Sequence, residues 1–77
     1  MRQSERPQPA LGAAIRQLRE KRELSQEALA KRAGLTGRTL SALETGNANP
    51  TWATACDLAD ALEVSIGELA KLSEKHE

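Results

Sequence analysis

A chain of 77 residues, 39% of them apolar, has room for one domain with a small core, at the lower end of what folds without covalent staples. One cysteine excludes a disulfide framework and a cysteine-built metal site, and no apolar run reaches bilayer length, so a cytoplasmic, non-membrane protein is expected. Eleven basic side chains balance eleven acidic ones, yet residues 1–38 hold nine basic against four acidic and residues 39–77 two against seven. A positive face can therefore exist on a molecule of zero net charge.

Residues 1–9, MRQSERPQP, are polar and aperiodic with Pro7 and Pro9. They read as a flexible arm, with no apolar middle of a secretion signal, and Arg2 and Arg6 in it can trail along a phosphate backbone. From Ala10 to Glu23, Leu11, Ala14, Ile15 and Leu18 recur at helical spacing. This predicts an amphipathic helix with Arg16, Glu20 and Lys21 in water and Arg19 on the flank of the apolar stripe. Leu24 then turns inward and Ser25 caps a second helix, 26–33, whose Leu29, Ala30 and Ala33 share a face before Gly34 ends it. Gln26, in its first turn, sits where a side-chain amide and backbone N–H groups together can hold a phosphate. The competing reading is an ordinary surface residue after a cap.

Leu35 and Thr36 restart the chain, Thr36 as an N-cap, and a third helix, 36–45, carries Leu40 and Leu43 inward until Gly46 stops it. Steps of about 100° per residue put Arg38, Ser41, Ala42 and Thr45 on the side opposite Leu40. A row this small and polar, with one arginine, can enter a groove without steric conflict. The helix start beside it offers N–H groups and positive dipole to an anion, and duplex DNA presents both a groove of helix width and flanking phosphates. In the loop GNANP, 46–50, Asn47 and Asn49 either bond phosphate oxygens or serve turn chemistry alone.

Thr51 caps a fourth helix to about Leu62, with Trp52, Ala55, Leu58, Ala59 and Leu62 expected on its inner face and Cys56 at the edge. Trp52, the one aromatic residue, is expected in the core. Ser65-Ile66-Gly67-Glu68 is a capping box opening a fifth helix to about Leu72, with 73–77 a frayed tail. Leu69 is expected to face the core, yet it is grouped with Ile66 and Leu72 as the surface a self-complementary dimer covers.

Taken in order, IRQLRE, LSQEALA, the AGLT turn, TLSALETG, the NP of the loop and LADALEVS resemble the DNA-binding domain of the Cro/phage-repressor (XRE-type) transcriptional regulators. The likeness covers residues 11–72; each piece alone is weak, and their order and spacing make the match specific. It implies an all-α, five-helix, lambda-repressor-like domain over 10–72 with its helix-turn-helix at 26–45. Helix 36–45 would enter the major groove of double-stranded DNA while helix 26–33 lies across the backbone. On that likeness Gly37, Arg38, Ser41 and Ala42 face base edges. Ser25, Gln26, Thr36, Thr45, Asn47 and Asn49 lie along the sugar-phosphate chain, and Arg19 and Glu44 form an internal ion pair.

Two positions depart from the family pattern. Gly37 and Ala42 stand where members usually carry longer polar side chains, leaving Arg38 as the only long base reader, suited to a guanine's O6 and N7. The resulting expectation is a dimeric, sequence-specific regulator with two operator half-sites, no cofactor, no metal and no catalysis. No effector domain is expected beside the DNA-binding unit, so any signal is expected through a partner, concentration or turnover. The rival reading is a protein-interaction module, such as an antitoxin or adaptor, favoured by the short side chains at 37 and 42. An enzyme is disfavoured by the absence of a Gly-rich phosphate loop, by the acids beside Cys56 and by the tail position of His76.

Overall fold

Hydroxyl side chains punctuate this chain. In the computed structural model, which describes residues 9–77, Ser25, Thr36, Thr51 and Ser65 each accept a hydrogen bond from the backbone N–H three residues on. Each opens a helix by satisfying an otherwise orphaned donor, which stabilises the helix start by about 1 kcal/mol. Pro9 opens the remaining helix, where its missing N–H costs nothing. The order is α1 Pro9–Lys21, α2 Gln26–Ala33, α3 Gly37–Glu44, α4 Trp52–Ala61 and α5 Ile66–Lys75, with no strand among the described residues. The all-α, five-helix architecture expected from the sequence is the one observed.

Eight-residue helices such as α2 and α3 are unstable alone, so burial must hold them. Ile15, Leu29, Leu40, Leu58, Leu62 and Leu69 are fully enclosed, each from a different turn of the chain. At roughly 1.5–3 kcal/mol per enclosed aliphatic side chain, this cluster is the main attractive term of the fold. α1 lies against α3 and α5, and α2 against α3 and α4. The helix-turn-helix pair is thus backed by the rest of the domain.

The α2–α3 turn is set by Gly34, at φ 73, with the Leu35 N–H on the Ala30 carbonyl at 2.8 Å. Behind α3 the packing is tighter than periodicity alone suggests. Gly12 is buried, and a Cβ there would overlap the carbonyl oxygen of Leu43 and stand 3.0 Å from that of Glu44. α1 and the end of α3 therefore meet backbone to backbone.

Several expectations require correction. Trp52 is 73% exposed and lies outside the core. It is the first residue of α4 and borders the open cavity it shares with Leu11, Pro50 and Ile66. Leu69 is 1% exposed and fully enclosed, so it is not available to an interface; Ile66 and Leu72 are half-buried against the core. The segment expected as a frayed tail continues α5 to Lys75, and His76 Nε2 donates to the Gln17 amide oxygen at 2.6 Å. At the other end α1 stops at Lys21, because Glu23 turns left-handed at φ 57 and the Leu24 N–H closes on the Arg19 carbonyl at 3.1 Å. The arm expected over 1–9 lies, apart from Pro9, outside the described residues.

Candidate nucleic-acid interface

The inner end of α3 carries the only buried charged side chain among the described residues, Glu44, 8% exposed. Its carboxylate accepts from Arg19 Nε at 2.7 Å and Arg19 Nη2 at 3.0 Å, a two-point fork, and from Gln26 Nε2 at 3.0 Å. Arg19 Nη1 donates in turn to the Leu24 carbonyl at 2.8 Å. One carboxylate thereby ties α1, the first turn of α2 and the last turn of α3 together. The hydrogen bonding to Glu44 is the chief reason the Arg19 guanidinium is held above its ordinary pKa, against the opposing effect of burial. Among the described residues no buried side-chain polar atom lacks a partner.

On the far side of α3 the surface is open. Arg38 is exposed, Ser41 and Ala42 are half-buried, and a Cβ added at Gly37 would meet nothing within 4 Å. The hydroxyls along this edge differ in what they have left to give. Thr45 Oγ1 donates back into its own helix, to the Ser41 carbonyl at 3.0 Å and that of Ala42 at 3.2 Å. Thr36 Oγ1 accepts the Thr39 N–H at 3.1 Å and shares a hydroxyl–hydroxyl hydrogen bond with Thr39 Oγ1 at 3.0 Å. Ser25 accepts from the Ala28 N–H at 3.0 Å and is itself exposed. After α3 the Asn47 N–H closes on the Ala42 carbonyl at 2.9 Å, leaving Asn47 and Asn49 exposed in the loop that leads to α4.

The fold thus gathers Ser25 and Gln26 at the start of α2, Thr36 to Thr45 along α3, and Asn47 and Asn49 after it. It separates them from Ile66 and Leu72, which belong to α5. Sequence reasoning missed Gly12, the bond from Gln26 to Glu44, and Thr39. A signal for Thr39 existed: T-x-x-T occurs at 36–39 and again at 51–54, both times as an N-cap and its partner.

A family model described as a helix-turn-helix domain matches residues 10–72. The chain belongs to the helix-turn-helix family. Among curated proteins it is 42% identical over 59 residues to the uncharacterized HTH-type transcriptional regulator y4dJ of Sinorhizobium fredii, covering 77% of each chain. Among solved structures it resembles the clp gene regulator ClgR of C. glutamicum with a TM-score of 0.84, at 25% identity and 88% coverage of both chains. It also resembles the restriction-modification controller protein C.AhdI of Aeromonas hydrophila, with a TM-score of 0.76 at 35% identity, over 78% of this chain and 91% of that one. These relatives agree with the Cro/phage-repressor type. Among its described residues no helix is long and apolar enough to cross a membrane, and no group of three His, Cys, Asp or Glu is placed to hold a metal.

Proposed function

We propose that this regulator binds double-stranded DNA sequence-specifically, with α3 in the major groove and α2 braced across the backbone, in the cytoplasm and without catalysis. The observation that carries the reading is the two-sidedness of α3. Its inner side is fixed to two other helices through Glu44, while its outer row around Arg38 is uncovered by the rest of the molecule. A rigid helix with a free polar ridge meets the geometric requirement for groove readout.

Arg38 reads a guanine, with Gly37, Ser41 and Ala42 bringing the backbone close to neighbouring bases. Ser25, Gln26, Asn47 and Asn49 contact the sugar-phosphate chain, and Thr36 and Thr45 serve chiefly as caps beside it. Direct readout by one long side chain is meagre, so DNA deformability supplies much of the preference. Zero net charge gives weak non-specific affinity and a shallow salt dependence.

The regulator acts as a homodimer on two half-sites about one helical turn apart. Exposed Trp52 stands on the rim of a cavity of about 410 Å³ between α4 and α5, with Leu11, Pro50, Ala55 and Ile66 in its walls. A second copy covers this surface, which keeps Ile66 from the set expected from sequence and adds Trp52 and Leu11. The same exposed groove is the feature that favours the alternative of a protein-interaction module.

Selection from a pool of random duplexes tests the reading. Wild type should enrich one palindromic motif. Arg38→Ala should relax preference at one position per half-site by about 1–3 kcal/mol, and Gln26→Ala should weaken all sequences alike. No enrichment at low salt by wild-type protein that remains folded would overturn it.

A further inference from the structure

The wall that α5 gives to the open cavity beside α4 changes character along its length. Ile66, Leu69, Ala70, Ser73, Glu74 and Glu77 line it at helical spacing. This one stripe runs from apolar at the start of the helix to acidic at its end, about 16 Å away at 1.5 Å of rise per residue. α1 adds Leu11, and α4 adds Ala55 and the exposed indole of Trp52. We infer that this cavity is a binding site for a small organic cation with an apolar body, an alkyl- or arylamine. Its ammonium group lies at Glu74 and Glu77, and its apolar part covers Trp52 and Ile66.

Size and charge select that class of ligand. A volume of about 410 Å³ lies in the range of small-molecule pockets, and a mostly apolar lining with its charged groups at one end fixes how a ligand lies. The sign of those groups is unopposed. Among the described residues no basic side chain lines the cavity; Lys71 and Lys75 of α5 are not among its walls, and His76 bonds Gln17 of α1. Glu74 and Glu77 are exposed and form no ion pair with another described residue, whereas Glu20, Glu44 and Glu63 each have an arginine. The C-terminal end of α5 adds its own negative dipole there. An anion is repelled by this end, and a neutral ligand gains only the apolar burial. A cation gains both, and an indole ring attracts it further.

Trp52 is the one aromatic residue of the chain, so its fluorescence reports occupancy of the cavity without a label. Three probes of one shape and different charge are titrated: phenylbutylammonium, phenylbutanol and phenylbutyrate. Wild type should bind the cation about fivefold more tightly than the alcohol, the contribution of two exposed ion pairs, and the anion more weakly than either. Added salt should shrink the preference for the cation. Glu74→Gln/Glu77→Gln, which changes only exposed side chains, should bind cation and alcohol alike and keep the wild-type melt. Equal binding of all three probes by wild type, an undiminished preference in the double variant, or no fluorescence change with the cation overturns the assignment. The cation and a second copy need the same walls, so the cation should also shift wild type toward monomer in sedimentation; this consequence alone rests on the dimer proposed above. Wild type that sediments as a monomer without any ligand overturns that dimer, and the fluorescence series still decides the cation site.

Discussion

Removing the Glu44 carboxylate is the most demanding test of how this domain holds α3. Glu44→Ala deletes the acceptor of three hydrogen bonds, at 2.7, 3.0 and 3.0 Å, each involving at least one charged group. At about 1.5 kcal/mol apiece, the low end for charged hydrogen bonds, the loss approaches 4–5 kcal/mol. Arg19, whose side chain is 13% exposed, keeps its bond to the Leu24 carbonyl and can recruit some water, which returns part of that. A net loss of about 3 kcal/mol is expected, at the lower edge of what breaking a buried pair costs. Domains of this size hold about 4–12 kcal/mol in total, so the variant should melt about 12–24 °C lower.

Arg19→Met/Glu44→Leu should be far less damaging than the two single changes added together, because the desolvation cost of both charges disappears with them. Urea denaturation of the four proteins measures the coupling. A Glu44→Ala loss under 1 kcal/mol, or strict additivity in the double variant, would refute a cooperative role for the carboxylate.

Gly12→Ala should destabilise by about 1–3 kcal/mol or more, although alanine is the better helix former, because the added methyl meets backbone and cannot be relieved by a rotamer change. Urea midpoints equal to wild type would contradict direct contact between α1 and α3. Gly37→Ala should do the opposite and leave the melt unchanged or raise it by up to about 1 kcal/mol of stability, since the site is open and φ there is not left-handed; a lowered melt would mean the position is structurally occupied. The Glu68 carboxyl lies below its ordinary pKa, chiefly because it accepts the Ser65 N–H at 3.0 Å. A depressed folded pKa gives stability that is present above the unfolded carboxylate range and lost as pH falls through the lowered value. Melts from pH 7 to pH 2 should therefore decline more steeply for wild type than for Glu68→Gln, and parallel curves would exclude a contribution from this cap.

The helices were legible because their signals are local. Ser25, Thr36, Thr51 and Ser65 each precede a run with helical periodicity, and the capping box at Ser65 and Glu68 forms with both of its bonds. Trp52 was misread because periodicity describes one helix in isolation. Its spacing matches Ala55 and Leu58, but whether anything lies over the first turn of α4 depends on where α5 and the loop after α3 end up. Gly12 is worse than silent, since a glycine inside a helix ordinarily counts against the helix. The family likeness singled out Arg19 and Glu44 as a pair but said nothing of Gln26 joining them, because that bond depends on the angle at which α2 meets α3.

That third bond changes how the interface should respond to damage. The Gln26 amide has two N–H donors; one is directed to Glu44, and on the proposed reading the other is available to a phosphate. The residue that braces α2 on the backbone is then fixed to the carboxylate that sets the register of α3. Clamp and reader move as one body. Arg38→Ala should alter preference alone and Gln26→Ala mainly overall affinity. Glu44→Gln, which keeps an acceptor for Gln26 but lacks the charge that holds Arg19, should reduce both in the same proportion. If it lowered affinity while leaving the preferred motif as sharp as wild type, α3 would be positioned by its apolar packing alone, through Leu40 and Leu43, and the polar hub would contribute to stability without steering recognition.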